Sequence, residues 1–190
     1  MPDLVLASSS PRRLDLLKRL GVTPARVTSP AIDESPLKGE VPRVYALRLA
    51  AAKAEAVARA PGEVVLAGDT TVALGRRILP PADTPDLQRE LLGKLSGRRH
   101  HVLSAVCVID AAGKARARIA DTIVAFKPLS AAEIDAYVAG GEGLGKAGGY
   151  AVQGYAEAFV RFLSGSHSGV IGLPLFETRA LLKTAGLPLA

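Results

Sequence analysis

Residues 100–126 place the tightest limit on what this chain folds into. HHVLSAVCVID and KARARIADTIVAF are β-type runs rich in Val, Ile and Thr, joined at Ala111–Ala112–Gly113, and they predict a hairpin. A long antiparallel hairpin in mid-chain is incompatible with an uninterrupted parallel, doubly wound sheet. On either side of it strands and helices interleave. LVLAS reads as a buried strand. PRRLDLLKRLG reads as a helix, with Leu14, Leu17 and Leu20 about one turn apart and Gly21 as its stop. PARVTS is a candidate strand, and residues Ala31 to Val41 are a polar, Pro-rich loop. Pro42 to Ala60 is an Ala-rich helix ended by Pro61–Gly62. EVVLAGDTTVAL reads as a strand, a polar interruption and a further strand, followed by the turn-rich GRRILPPADTP.

Downstream, Pro85 to Leu95 is a helix capped by Thr84. Ser130 opens another, with Glu133 completing a capping box. Gly140 to Gly149 holds six glycines in ten residues, AFVRFLSG is a strand, and GLPLFETRALLKTAG is a final helix entered through Pro174. The expectation is an α/β fold, a mixed sheet with flanking helices, in one domain spanning residues 1–190. No internal repeat or break in composition marks a second domain.

Composition narrows the partners. A net charge of +6 admits nucleic acid, but the charge is spread along the chain without a basic tail, and only 4% of residues are aromatic. An anionic small molecule accounts for the charge equally well. No apolar run approaches the roughly 18 residues of a membrane span. The first segment meets Pro11, Arg12 and Arg13 without a basic n-region, so no signal peptide is expected. The single cysteine, Cys107, cannot form an intramolecular disulfide, and cytoplasm is the expected compartment. His100 and His101 begin a strand and point to opposite faces, and His167 stands alone, so the histidines form no zinc set.

Five places carry candidate chemistry, each with a plainer alternative. Ser8, Ser10, Arg12 and Arg13 lie at a strand-to-helix junction, where free backbone N–H groups and guanidinium forks suit an anion. A capped surface helix is the alternative. Adjacent arginines on a helix point about 100° apart, so the two do different jobs. Asp33–Glu34 in a loop suits a hard cation or simple solvation. Asp69 follows the apolar VVLA, where a carboxylate is costly unless it functions or caps a turn; Thr70 and Thr71 beside it can donate to phosphate or to a base edge. Lys53, among alanines, either snorkels or reaches into a cleft. In GKAGGYAVQG, the glycines around Lys146 allow close approach to a ligand and Gln153 offers donor and acceptor together; a mobile surface loop is the alternative.

Taken in order, LASSSPRRLDLLKRLG, the acidic pair DE, LRLAAAKA, LAGDTTVAL, LSGRRHHVLSAV, GKAGGYAVQG and VIGLPLFET resemble the Maf family of nucleoside triphosphate pyrophosphatases over essentially the whole chain. The resemblance implies an elongated fold with two lobes around a cleft, similar to the inosine-triphosphate pyrophosphatases, and a homodimer. It implies metal-dependent cleavage of a nucleoside triphosphate to monophosphate and pyrophosphate, with Mg²⁺ expected and Mn²⁺ as the alternative. SPRR, Asp69–Thr70 and the YAVQG around Gln153 resemble the dTTP/UTP branch. The rivals are the 7-methyl-GTP branch and a nucleotide-binding protein with lost turnover acting in septum formation. By the same resemblance Asp69 is the proton acceptor, Glu34 and Asp69 hold the metal, and Ser8, Ser10, Arg13, Lys53 and Lys146 hold phosphate. Arg12, Thr70 and Gln153 set specificity. The sequence departs from the family at Pro81, where a lysine is usual, with Arg76 or Arg77 as candidate substitutes, and at Gly169, where asparagine is common.

Overall fold

The computed structural model describes residues 2–189. The chain runs β1 (Leu4–Ala7), α1 (Pro11–Lys18), β2 (Arg26–Thr28), α2 (Pro42–Glu55), β3 (Val64–Leu74), β4 (Arg77–Leu79) and α3 (Pro85–Leu95). It continues through β5 (Arg99–Ile109), β6 (Ala115–Phe126), α4 (Ala131–Ala139), a 3₁₀ turn (Tyr155–Phe159), β7 (Val160–Ser164), α5 (His167–Ile171) and α6 (Leu175–Thr184). The strands form one seven-stranded sheet in the order β2-β1-β3-β5-β6-β7, with β4 on the far half of β3. β1 is parallel to β2 and β3, and the remaining pairings are antiparallel. This is the expected mixed α/β class, with the predicted hairpin as β5–β6.

Four details differ from the sequence reading. EVVLAGDTTVAL is not two strands: β3 runs unbroken through the polar residues, because β5 pairs with all of that stretch, Asp69 opposite Ala105 and Thr70 opposite Ser104. The ladder bonds are made by backbone and tolerate polar side chains. The turn-rich stretch contains β4, which folds back on β3 through Gly75 at φ 61°. α2 stops at Glu55 rather than Ala60, and the chain after it is tied to neighbouring groups: Arg26 donates to the Ala58 carbonyl, and the Ala60 N–H donates to Glu63. Last, SGSHSG opens the short α5, with the Ser166 hydroxyl accepting from the Gly169 N–H.

Strand alternation gives each sheet face its own core. Val65, Ala67 and Ala73 of β3 pack toward α2, whose Ala46, Ala50 and Ala54 make a small-residue stripe four apart. That stripe lets the helix lie close to the sheet. Leu66 and Val72 face the larger core of α1, α3 and α6, built around Leu16, Leu17, Leu91, Leu92 and Leu182. Each such fully buried leucine is worth about 1.5–3 kcal/mol. β1 ends at Ala7 while β3 continues to Leu74, so the sheet has a step there. The cleft opens at that step, as sites in α/β proteins do beyond a strand's carboxyl end.

Candidate active site

Alternation along β3 sends Asp69 and Thr71 toward α2, and Thr70 toward α1 and α5. Asp69 is 5% exposed, and its two oxygens have different partners. Oδ1 accepts from Lys53 Nζ at 2.9 Å, and Oδ2 accepts from the Thr71 hydroxyl at 2.8 Å. Lys53, 8% exposed at the foot of the alanine stripe, also donates to Glu34 Oε2 at 2.9 Å. One ammonium thus draws a loop carboxylate to a strand carboxylate. The loop is tied at the same place by Tyr45, whose hydroxyl donates to the Glu34 carbonyl at 2.8 Å. Asp33 accepts the Ser35 N–H at 2.8 Å and borders the cleft without bonding Lys53, so the acidic pair divides.

On the other side of β3, Arg13 is a fixed strut. Its Nε donates to the Gly172 carbonyl at 2.8 Å, Nη1 to the Ser8 hydroxyl at 3.2 Å and Nη2 to the Thr70 hydroxyl at 3.4 Å. Burial lowers its pKa and Arg12 adds to that, while Asp69 and Glu34 oppose it. Ser8 Oγ also accepts the Ser10 N–H at 3.1 Å. Ser8 does not line the cleft: it lies behind the wall and holds Arg13. Ser10 does line it, and its side chain makes no cap bond to α1, so the junction is not the side-chain-capped helix of the plainer reading.

The cleft therefore has one wall from Ser10, Arg12, Arg13, Glu34 and Lys53, and a facing wall from Pro81 and residues 145–153. Lys146 and Gln153 stand on that second wall. Arg12 has no hydrogen bond or ion pair among the described residues, and burial lowers its pKa. Lys146 is lowered by burial first and by the positive charge of Arg12 second. The positive charge of Arg12 thus adds to the cost of keeping Lys146 charged. Of the four basic residues expected here, Arg13 and Lys53 are committed to buried protein partners, whereas Lys146 donates only to the exposed Leu144 carbonyl, at 3.4 Å, and Arg12 is open.

The cleft continues past Asp69 into a less polar half lined by Tyr45, Ile78, Leu79, Pro80 and Pro81. Pro81 borders both halves. Arg76 and Arg77 border neither, so the expected substitution by those residues is not found. The glycine-rich stretch is no loose loop. Gln88 Nε2 donates to the Gly149 carbonyl at 3.0 Å, His100 Nε2 lies 2.8 Å from the Tyr150 hydroxyl, and Tyr150 forms part of the cleft wall. His101 points to the opposite face and pairs with Asp121, as adjacent strand positions require.

Sequence reasoning missed Ser104, Gly172 and Tyr45. The Ser104 hydroxyl donates to the Gly169 carbonyl and lies 3.4 Å from the Thr70 hydroxyl, anchoring α5 to the sheet. A serine inside an otherwise apolar strand was the available signal; nothing marked Gly172. For a metal, the described residues contain no group of three or more His, Cys, Asp or Glu side chains. The Glu34–Asp69 pair supplies hard oxygen donors only. It fits an ion such as Mg²⁺, which keeps waters and binds substrate phosphate, better than it fits a softer metal.

Residues 3–185 match the Maf family, described as Maf-like protein. The dTTP/UTP pyrophosphatase of Sphingopyxis alaskensis is 74% identical over 190 residues, covering 100% of both chains. That of Novosphingobium aromaticivorans is 63% identical, covering 98% of this chain and 93% of its own. Among solved structures, the nucleoside-triphosphatase / dITP/XTP pyrophosphatase of Mycobacterium abscessus is 19% identical at a TM-score of 0.42, covering 68% of this chain and 76% of that one.

Proposed function

This chain belongs to the Maf-like protein family, and from that premise we propose that it is a dTTP/UTP pyrophosphatase, releasing monophosphate and pyrophosphate. The observation that carries the chemistry is the Glu34–Lys53–Asp69 unit, joined by two 2.9 Å bonds at the floor of a cleft with open cations. The names of relatives matched over the full chain support the substrate. Arg12 and Lys146 take the phosphates, with the Ser10 hydroxyl donating beside them. Asp69 orients the attacking water and accepts its proton; Thr71 and Lys53 hold the carboxylate still for that task. The water oxygen bonds to the α phosphorus, and the bridging oxygen leaves with pyrophosphate. Glu34 and Asp69 would hold the divalent cation, Mg²⁺ or Mn²⁺, which when bound neutralises phosphate charge. Gln153, with Thr70 and Arg12 nearby, reads the pyrimidine.

Three sequence-derived roles change in this reading. Ser8, Arg13 and Lys53 hold the site together rather than binding phosphate first-hand, because Arg13 has three of its donors engaged by protein acceptors and Lys53 bridges Glu34 and Asp69. Residues 1–190 act as one cytoplasmic unit, with a homodimer as the assembly. No helix among the described residues is long and apolar enough to cross a membrane.

The test is pyrophosphate release from dTTP, UTP, CTP and 7-methyl-GTP with Mg²⁺ or Mn²⁺, in water enriched in ¹⁸O. Fast release from dTTP and UTP with the label in the monophosphate is expected. Label in pyrophosphate would sink attack at the α phosphorus, and preference for 7-methyl-GTP would sink the substrate. Pro81 favours one second reading, a binding protein with weakened turnover, since an apolar ring borders the cleft at the position where the family resemblance implies a lysine. Nucleotide binding without release, with turnover gained in Pro81→Lys, is the result that reading requires.

A further inference from the structure

The turn that presents Gln153 is positioned by groups outside itself. Val152–Gly154 form a turn closed by the Gly154 N–H donating to the Ala151 carbonyl at 3.1 Å. Gln153 is its exposed tip on the cleft wall. At one end, the Ala151 N–H donates to the Tyr137 hydroxyl at 3.0 Å. At the other, the Tyr155 N–H donates to Glu142 Oε1 at 3.0 Å. The two acceptors are neighbours. Burial pushes the Tyr137 phenol up, and the Glu142 carboxylate beside its hydroxyl pushes the same way. Tyr137 is 3% exposed on α4, and Glu142 follows that helix within one turn.

Gly154 belongs to the same arrangement. A Cβ there would lie 1.6 Å from Glu142 Oε1, so the carboxylate fills the space a side chain would need. Glu142 also supports the charge of Lys146 against burial and Arg12. Neither Tyr137 nor Glu142 lines the cleft. Both flanks of the Gln153 turn thus hang from one rigid unit behind the wall.

We infer that Tyr137 and Glu142 are positioning residues that fix the Gln153 turn and thereby set pyrimidine selectivity without touching the nucleotide. The selectivity half rests on the reading of Gln153 given under Proposed function. An amide discriminates a base edge only while its donor and acceptor are held in register with it, and a misplacement of about 1 Å is costly. α4 supplies that register from the far side of the turn.

Two variants of the full chain test this. Tyr137→Phe keeps the ring and removes one acceptor; Glu142→Leu keeps most of the volume and removes the other. Amide hydrogen exchange, read by NMR without nucleotide, is expected to rise on the order of tenfold at Ala151 to Tyr155, with β5 and β6 exchanging as in wild type. No local change, or an equal rise throughout, overturns the clamp. The kcat/KM ratio of UTP to CTP is expected to fall about fivefold or more, through KM, with kcat within about twofold. Local loosening with selectivity intact overturns the selectivity role. Wild-type protein inert toward UTP would defeat the functional reading instead, and exchange would still decide the clamp.

Discussion

Asp69 and Thr70 are sequence neighbours that serve opposite sides of one strand. Asp69 is legible because a carboxylate at the end of the run VVLAG has no cheap explanation; its partners Lys53 and Glu34 are legible as candidates, but not that one ammonium joins them. Arg13 was legible as a cation and not as a strut, because its strongest acceptor, the Gly172 carbonyl, is 159 residues away. Asp69→Asn keeps the shape and loses the proton acceptor, so kcat for dTTP is expected to drop about 10²–10⁴-fold in a protein with a normal circular dichroism spectrum; near-normal turnover would refute the role. His100 makes a pH prediction. Burial first, then His101, lowers its pKa from 6.5 to about 4. The unfolded chain therefore holds more protons between those values. The stability this group contributes, about 3 kcal/mol at most, is full above the unfolded pKa and lost as pH falls through the folded one. Urea midpoints measured above and near the bottom of that window should fall further for wild type than for His100→Gln. Parallel falls would remove His100 from the account.

Helices with sequence-local stop and start signals matched the structure best. α3 begins after Thr84, whose hydroxyl accepts the Leu87 N–H at 3.2 Å, and α4 has the capping box formed by Ser130 and Glu133. The unbroken β3, the added β4 and the shortened α2 were not legible, because ladder partners and tertiary acceptors decided them. The same contrast predicts two stability results. Thr84→Ala should lower stability by about 1 kcal/mol with pyrophosphate release unchanged, since the cap serves one helix. Gly143→Ala should cost activity as well. Its Cβ would meet the Gly149 carbonyl at 2.0 Å and Gln88 Nε2 at 2.4 Å, shifting the wall that carries Lys146. Chemical denaturation paired with a turnover assay separates the two; equal activities would contradict the distinction.

For the molecule as a whole, the net charge of +6 gives a long-range pull on a polyanion that no single contact supplies. kcat/KM for dTTP should therefore fall as potassium chloride rises from below to above physiological strength, where the Debye length is about 8 Å. A flat profile would assign capture to short-range contacts alone. The general architecture was legible from the hairpin and the interleaved helices, whereas the division of four basic residues into two struts and two open cations needed the folded chain. The Arg13–Gly172 bond also bears on biosynthesis. A domain generally folds as a unit, so its early segments reach their final contacts only once its later elements have been made. A nascent chain that has emerged only as far as Gln153 already carries every proposed catalytic and nucleotide-contacting side chain, but Arg13 has no carbonyl to brace against until Gly172 arrives. A fragment cut short before α5 would carry these side chains without the carbonyl that braces Arg13.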